Sequence, residues 1–284
     1  MIIDFHTHTF PDKIAAGTIE KLASASHTVP FSDGSLSGLK HSMETASVDY
    51  SVTLPVITHP GQTEKINSRL VEGMENGADP SIIPFGGMHP DNEDPRGVLT
   101  FLKEHGVSGI KLHPAYQNTD LTDPKMMRIL DIASELDLIV LIHAGIDIGI
   151  PEHDYADVNM ILRVMKEVAP TKLVLAHMGG WAVWDHVESD LAGAPLWLDT
   201  AFSVGPITID EKQSGRPIIS TNLSDEDFIR LSRKHGIDRI LFATDSPWEG
   251  QAEYIRRIRS MPLTAAEQQQ IFSENALSLL NRTE

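Results

Sequence analysis

The chain of 284 residues contains no cysteine at all. Without a thiol there is no disulfide framework, no cysteine nucleophile and no thiolate metal ligand. Any metal ion must therefore be bound by histidine, by a carboxylate or by a modified lysine. Aromatic residues make up only 6% of the chain, but a hydrophobic content of 41% is enough for a large core.

Basic residues are also scarce, since 23 lysines and arginines stand against 40 aspartates and glutamates. The resulting net charge of -17 argues against nucleic acid and against an anionic membrane surface as partners. No hydrophobic run approaches the length of a membrane span, and the N-terminus lacks the basic and apolar regions of a signal peptide. We therefore expect a cytoplasmic protein that acts on a small molecule, and homo-oligomerisation remains open.

One unit recurs along the chain, made of an apolar run, a polar loop and an amphipathic helix that ends near a glycine. Apolar runs separated by helices indicate parallel strands that are buried on both faces. We predict strands at 2–8, 50–56, 82–89, 109–113, 138–143, 172–177, 195–200 and 239–245. Eight such strands favour an α/β fold of the closed (β/α)8 TIM-barrel type, with residues 1–284 as a single domain.

The segments between these strands contain the predicted helices and several long loops. Helices are expected near 37–47, 62–76, 94–106, 123–136, 156–168, 224–235 and from 264 onward. Asp94-Pro95 is typical of a helix start, and Thr264 with Glu267 forms a capping box. Loop insertions are predicted near 11–36, with one helix at most, and near 202–222. Together with the long loop 145–157, the second insertion is expected to shape specificity.

Ligand-type side chains stand at the ends of almost all of these strands, and barrels of this type carry their sites at the carboxyl ends. His6 and His8 lie one residue apart at a strand end, so both imidazoles point to the same side. Such a pair is half of a metal site, because imidazole suits Zn, Fe, Co or Ni. The other strand ends carry His89, Lys111, His113, His143, His177, Asp199 and Asp245.

Four motifs in this order resemble the amidohydrolase superfamily. They are His6-Thr-His8, His143, His177 in Ala-His-Met-Gly-Gly, and Asp245 in Ala-Thr-Asp-Ser-Pro-Trp. The last two, together with Glu274-Asn-Ala-Leu-Ser-Leu-Leu280, are similar to the amidohydrolase 2 branch. That branch includes aminocarboxymuconate-semialdehyde decarboxylase and resorcylate decarboxylases. The resemblance implies a metal-dependent hydrolase or a mechanistically related decarboxylase.

The resemblance also implies roles for individual residues. His6, His8, His143 and Asp245 would be ligands of a divalent metal, with zinc expected. His177 and Asp245 would be catalytic, because they position or deprotonate a water and move a proton. One ion is favoured; two ions would require a carbamylated Lys111 as a bridge and His177 as a further ligand. An unmodified Lys111 would instead bind a substrate carboxylate or pair with Asp245.

Several further residues allow either a functional or a structural interpretation. His113, Trp181 and Trp248 are predicted to contact substrate, but His113 could equally cap a turn and the two tryptophans could pack at the rim. His89 could line the pocket, although structural packing is favoured, and Asp199 is expected to orient His177. The remaining histidines are predicted at the surface, namely His27, His41, His59, His105, His153, His186 and His235.

Three functions follow from these observations. The favoured one is hydrolysis of an amide, ester or lactone of a small organic acid by metal-activated water. The alternative is metal-dependent non-oxidative decarboxylation of a small unsaturated or aromatic carboxylate, which would make the protein a lyase. The third is a non-catalytic metal-binding or oligomeric scaffold, against which the full set of ligand-type residues argues. The sequence does not separate hydrolysis from decarboxylation.

Overall fold

The computed structural model describes residues 1–205, 207–210 and 221–282. Within these ranges its strands are β1 (Ile3–Thr7), β2 (Tyr50–Thr53), β3 (Ile82–Pro84), β4 (Gly86–Gly87), β5 (Gly109–Leu112), β6 (Ile139–Ile142), β7 (Leu173–Leu175), β8 (Trp197–Asp199) and β9 (Ile240–Leu241). Each strand pairs in parallel with the next, in one group from β1 to β3 and another from β4 to β9. This order confirms the predicted parallel α/β architecture.

Backbone hydrogen bonds connect the two groups of strands at both junctions. Strands β3 and β4 are two halves of one predicted strand, and the amide of Phe85 between them donates to Thr53 O at 3.0 Å. At the other junction the amide of Phe5 in β1 donates to Phe242 O after β9 at 2.9 Å, and Thr7 pairs with Ser246. The strands therefore occupy eight positions around a (β/α)8 barrel, as predicted.

The helices lie between the strands in the predicted order. They are α1 (Asp12–Ser26), α2 (Leu36–Ala46), α3 (Thr63–Glu75), α4 (Pro95–Glu104), α5 (Pro124–Glu135), α6 (Val158–Glu167), α7 (Trp184–His186), α8 (Asp225–His235), α9 (Gln251–Ser260), α10 (Ala265–Gln269) and α11 (Asn275–Leu279). The insertion at 11–36 contains one helix, α1, as expected. Helices α7 and α9 were not predicted. Helix α7 has only three residues and no side-chain cap, and helix α9 follows Gly250 without a side-chain cap and buries only a narrow apolar stripe.

The predicted helix starts are confirmed by the hydrogen bonds of their caps. Asp94 accepts from the amide of Gly97 at 2.9 Å, and Pro95 occupies the first turn of α4. Thr264 and Glu267 form the expected capping box at the start of α10. The predicted insertion 202–222 lies partly outside the described residues, at 206 and 211–220.

The core has an outer layer between strands and helices and an inner layer within the ring of strands. Ile110, Leu112 and Ile142 pack in the outer layer, whereas Leu141 packs in the inner one. This alternation follows from the period of two along a strand. No helix in the described part of the chain is both long enough and apolar enough to cross a membrane.

A buried carboxylate reinforces the junction between the first and last strands. Asp4 of β1 accepts hydrogen bonds from the amide and hydroxyl of Thr244, at 3.0 and 2.6 Å, and from Gln251 Nε2 at 2.8 Å. These donors offset part of the cost of burying a carboxylate. Burial still dominates and raises the pKa of Asp4 to about 6. The network holds β1 and the segment after β9 at a fixed distance beneath the candidate site.

The surface prediction for the seven remaining histidines is wrong for His235. Its side chain is buried in the last turn of α8, where Nδ1 accepts from the amide of Gly193 at 3.3 Å and Nε2 donates to Leu196 O at 2.9 Å. The position lies on the buried face of the helix, four residues after Leu231. Of the others, His27 is half-buried, and His41, His59, His105, His153 and His186 are exposed.

His235 predicts an acid-sensitive contribution to stability. Both ring nitrogens are satisfied only in the neutral form, and burial lowers the pKa of His235 to about 4. The unfolded chain binds this proton near pH 6.5, so the contribution is complete above that pH and is lost as the pH falls toward 4. Between pH 7 and pH 5 we expect the unfolding free energy of wild type to fall by about 2 kcal/mol more than that of His235→Gln. Urea denaturation of both proteins at the two pH values measures this, and equal pH slopes would contradict it.

Candidate active site

The pairing of β1 with the segment after β9 brings three ligand-type side chains together. His6 Nε2 lies 3.1 Å from His8 Nε2, and Asp245 Oδ1 lies 3.4 and 3.2 Å from these two nitrogens. Ligands that bind one ion at about 2.0–2.2 Å, with angles near 90–110°, lie about 3.0–3.5 Å apart. The atoms of His6, His8 and Asp245, which we call the first ligand group, therefore have the spacing of metal ligands.

Hydrogen bonds to the far side of each imidazole fix the tautomers in this group. His6 Nδ1 donates to Asp199 Oδ2 at 2.9 Å, and His8 Nδ1 donates to Leu54 O at 2.7 Å. In a neutral imidazole the opposite nitrogen then carries a lone pair. Both Nε2 atoms can thus bind a metal, in the arrangement usual for metal-binding histidines.

Asp199 has a wider role than the sequence indicated. Its Oδ2 accepts from the His6 ring, while its Oδ1 accepts from the backbone amides of His177 and Ala201 at 3.0 Å each. Asp199 was predicted to orient His177, and it contacts that residue only through the backbone amide. It contacts the His6 side chain directly. Burial raises the pKa of Asp199 to about 7.

Lys111 enters the same space from β5. Its neighbours Ile110 and Leu112 pack in the outer layer, so the Lys111 side chain between them faces the interior of the barrel. The Nζ atom lies 3.2 Å from His6 Nε2. Within the described ranges Lys111 makes no direct ion pair, and the expected alternative of a pair with Asp245 is not formed. Burial lowers the pKa of Lys111 to about 8, against the opposing effect of nearby carboxylates.

The register of β5 and β6 generates a second group of ligand-type residues. Leu112 pairs with Ile142, so the next residues, His113 and His143, lie side by side with stacked rings whose centroids are 4.3 Å apart. Asp147 Oδ2 lies 3.6 Å from His113 Nε2 and 3.7 Å from His143 Nε2. We call His113, His143 and Asp147 the second ligand group; its ligand atoms all lie within 4.8 Å of one another. His143 thus lies in this group, although the sequence had placed it with His6 and His8.

His177 lies between the two groups. Its Nε2 is 2.9 Å from His143 Nδ1, its Nδ1 donates to Ala201 O at 2.9 Å, and its ring centroid is 5.5 Å from that of His6. The backbone of His177 is left-handed, with φ of 60°, and Asp245 shares this feature with φ of 66°. A non-glycine residue in this region stores strain, and such residues concentrate at functional sites.

Burial is the dominant electrostatic effect throughout the site. It lowers the pKa of His177 to about 4, and it lowers the pKa values of three other histidines well below their usual value; these are His6, His113 and His143. Desolvation disfavours the charged imidazolium, and Lys111 nearby adds repulsion. The imidazoles are therefore neutral at neutral pH, which is the state that binds a metal.

Two buried acids at the site were not predicted from the sequence. Asp147 lies in the loop 145–157, which was expected to be functional but contains no motif, and burial raises its pKa to about 6. Glu249 follows Trp248, and burial together with the charge of Asp245 raises its pKa to about 8. Neither acid has a sequence signal beyond its position after a strand end.

The aromatic residues form a wall rather than separate contacts. Trp181 is buried in an apolar cluster with Phe202 and Ile207, and Trp248 packs against this cluster. The Trp181 ring centroid lies 6.1 Å from that of Phe202, which in turn lies 6.4 Å from that of His177. Trp181 Nε1 is buried and has no hydrogen-bond partner among the described residues. Both tryptophans therefore pack in this wall, and their contact with substrate stays a prediction.

His89 and His113 both accept a hydrogen bond from a turn amide, but only His113 belongs to a ligand group. His89 Nδ1 accepts from the amide of Asp91 at 3.1 Å, which is a turn contact and belongs to neither ligand group. His113 Nδ1 also accepts from a turn amide, that of Tyr116, but only at 3.4 Å. His113 therefore combines a weak turn contact with a place in the second ligand group.

The ring of parallel strands and its histidine-rich mouth define a TIM-barrel protein with a candidate metal centre. Residues 3–282 match the amidohydrolase 2 family. Since the match extends over almost the whole length, the chain belongs to that family, whose members are enzymes of the amidohydrolase superfamily. No curated protein matches the chain.

Solved structures with a similar fold include several decarboxylases. 5-Carboxyvanillate decarboxylase of Sphingomonas paucimobilis is 15% identical, with 99% of both chains covered and a TM-score of 0.66. A 2,6-dihydroxybenzoate decarboxylase, solved with 2,6-dihydroxybenzoate, is 13% identical, with 99% of both chains covered and a TM-score of 0.68. The dihydroxybenzoic acid decarboxylase of Polaromonas sp. JS666 holds manganese and 2-nitroresorcinol; it is 14% identical, with 99% of this chain and 98% of that chain covered and a TM-score of 0.66.

The contact between Asp199 and His6 predicts a metal-binding defect for Asp199→Asn. The amide can turn its NH2 group toward His6 Nδ1, which would move the imidazole proton to Nε2 and remove a ligand lone pair. We expect the affinity for Mn²⁺ to fall by about 10- to 100-fold. Titration calorimetry measures this, with Asp94→Asn at the cap of α4 as the matched control. Unchanged affinity in Asp199→Asn would show that Asp199 does not set the tautomer.

Proposed function

We propose that this protein is a metal-dependent decarboxylase of a small aromatic or unsaturated carboxylate. The observation that carries this proposal is the first ligand group, whose three atoms lie 3.1–3.4 Å apart with the buried amine of Lys111 beside them. A bound cation and an ammonium group together form a receptor for an anionic substrate. The neighbouring wall of Trp181 and Phe202 suits a flat apolar ring.

The residues present fit a divalent ion. His6, His8 and Asp245 would hold it, with one open side for substrate, and the two imidazoles are fixed in the tautomer that binds metal. Two nitrogen ligands and one carboxylate suit manganese, iron, cobalt or zinc, so zinc is one member of this set. When bound, such an ion polarises a substrate oxygen as a Lewis acid.

The chain's own groups have separate roles in this reaction. Lys111 would pair with the substrate carboxylate, and the aromatic wall would exclude water from the ring. The bond between the ring carbon and the carboxylate then breaks, carbon dioxide leaves, and the electron pair remains on the ring carbon. A proton must reach that carbon, and Asp245 and His177 are the groups we assign to its transfer.

The fold neighbours support decarboxylation over hydrolysis, because three of them are named as decarboxylases of hydroxylated benzoates or a carboxyvanillate. Hydrolysis of an amide, ester or lactone is the second candidate. The first ligand group favours it as well, since an ion held by His6, His8 and Asp245 could activate a water. Both reactions use the same ligand group.

The product distinguishes the two reactions. We would incubate Mn²⁺-loaded protein with a panel of aromatic carboxylates, including 2,6-dihydroxybenzoate and 5-carboxyvanillate, and with matching esters and lactones, in ¹⁸O-labelled water. Decarboxylation predicts carbon dioxide release and no ¹⁸O in the organic product. Incorporation of ¹⁸O into an acid product, without carbon dioxide, would establish hydrolysis and refute the lyase.

Variants of the two assigned catalytic residues should differ in kind. Asp245→Asn replaces a charged ligand by a neutral amide, so both metal content and turnover should fall. His177→Asn should retain the metal of the first ligand group while turnover falls by about 10²- to 10⁴-fold. Metal analysis and turnover measured on the same preparations test this, and the exposed His153→Asn is the control. Full activity in either site variant would remove that residue from the mechanism.

A further inference from the structure

The second ligand group contains chemistry that the proposed reaction does not use. We propose that His113 Nε2, His143 Nε2 and Asp147 Oδ2 bind a second divalent transition-metal ion. This inference extends the proposed function, but its test reports separately on each ligand group. It also differs from the two-ion arrangement considered from the sequence, because no carbamylated lysine is required.

A chain of hydrogen bonds fixes which His143 nitrogen carries the proton. His177 Nδ1 donates to Ala201 O at 2.9 Å, so His177 Nε2 is an acceptor. His143 Nδ1 lies 2.9 Å from that acceptor and must therefore donate to it. His143 Nε2 is left with a lone pair, and this buried atom has no hydrogen-bond partner within the described ranges.

Asp147 presents one oxygen to this lone pair. Its Oδ1 accepts from the amide of Gly149 at 2.8 Å, which leaves Oδ2 facing the imidazoles of His113 and His143 at 3.6 and 3.7 Å. These distances are too long for hydrogen bonds. A buried carboxylate oxygen and an imidazole lone pair that face each other need a positive partner between them.

A cation satisfies all three atoms at once. Ligand atoms 3.6–3.7 Å apart need only a small contraction to reach the spacing of metal ligands. His113 would bind through Nε2 after moving its proton to Nδ1, at the expense of its long 3.4 Å contact with Tyr116. Lys111 influences Asp147 only at a distance and forms no direct ion pair with it in the described part of the chain.

The donor set limits the kind of ion. Two imidazoles and one carboxylate suit Mn²⁺, Fe²⁺, Co²⁺ or Zn²⁺, whereas Ca²⁺ and Mg²⁺ prefer oxygen ligands alone. We therefore use Mn²⁺ and Zn²⁺ as probes.

Counting metal ions tests the proposal without any assay of activity. The full chain would be equilibrated by dialysis against each metal, and bound ions would be counted by mass spectrometry against protein concentration. We expect two ions per chain in wild type, and one in Asp147→Asn and in His113→Gln. Asp245→Asn, in the first ligand group, should lose the other ion and keep the one held by Asp147. His143 is not used as a variant because it borders both groups.

A surface pair provides the matched control. His153 Nε2 and Asp120 Oδ1 form an exposed ion pair at 2.7 Å, so Asp120→Asn and His153→Gln should retain both ions. One ion in wild type, removed by Asp245→Asn but not by Asp147→Asn, would overturn the second site and leave the proposed function intact. One ion in wild type that is removed only by Asp147→Asn would support the second site and contradict the metal of the first ligand group, on which the proposed function rests. Two ions that survive both second-group substitutions would also overturn it.

Folding of the variants is checked by thermal melts followed by circular dichroism. If one second-group variant fails to fold, the other supplies the comparison, since Asp147 and His113 lie on different loops. The wild-type count requires no variant, and a count of zero by itself excludes the proposal.

Discussion

The pairing of the first strand with the segment after the last strand is the constraint on which the site depends. Asp4 and Thr244, separated by 240 positions in the chain, share a buried hydrogen bond, and the amide of Asp245 donates to His6 O at 2.9 Å. This pairing holds the His6 and His8 imidazoles beside the Asp245 carboxylate. If the strands were shifted by one residue, these side chains would turn to the opposite face and the ligand group would not form.

The same constraint gathers many polar side chains in a buried place, where their desolvation opposes folding. Buried histidines, a lysine and several carboxylates share one mouth, and each pays a desolvation cost. The hydrogen bonds that the imidazoles donate to the Asp199 carboxylate and to the carbonyl oxygens of Leu54 and Ala201 offset part of it. Bound cations would offset more, because they stabilise carboxylates and neutral imidazoles together. Removal of one member should therefore affect its neighbours as well as itself.

The positions of the strands and the clustering of the site residues could be predicted from the sequence. Apolar runs located the strands, and parallel strands in a barrel bring their carboxyl ends to one face, so His6, His143, His177 and Asp245 could be placed together. The division of these residues into two ligand groups could not be predicted from the sequence. It depends on side-chain directions beyond the strand ends, and His143 turns toward His113 and Asp147.

Three further features lay outside sequence reasoning. Asp147 comes from a loop whose backbone follows no periodic pattern, helix α9 lacks a capping residue, and His235 is buried by contacts with a distant loop. Each depends on tertiary packing, to which a local pattern does not respond. The resemblance to a known superfamily implied residue roles, which stay predictions; the structure shows only that His6, His8 and Asp245 lie together and that His143 lies with His113 and Asp147.

Anomalous diffraction from crystals grown with Mn²⁺ tests the central claim most directly, namely that the paired strand ends form a metal site. We predict a peak at the manganese edge about 2.0–2.5 Å from His6 Nε2, His8 Nε2 and Asp245 Oδ1. A fully loaded crystal whose anomalous peaks all lie away from these three atoms would contradict the account.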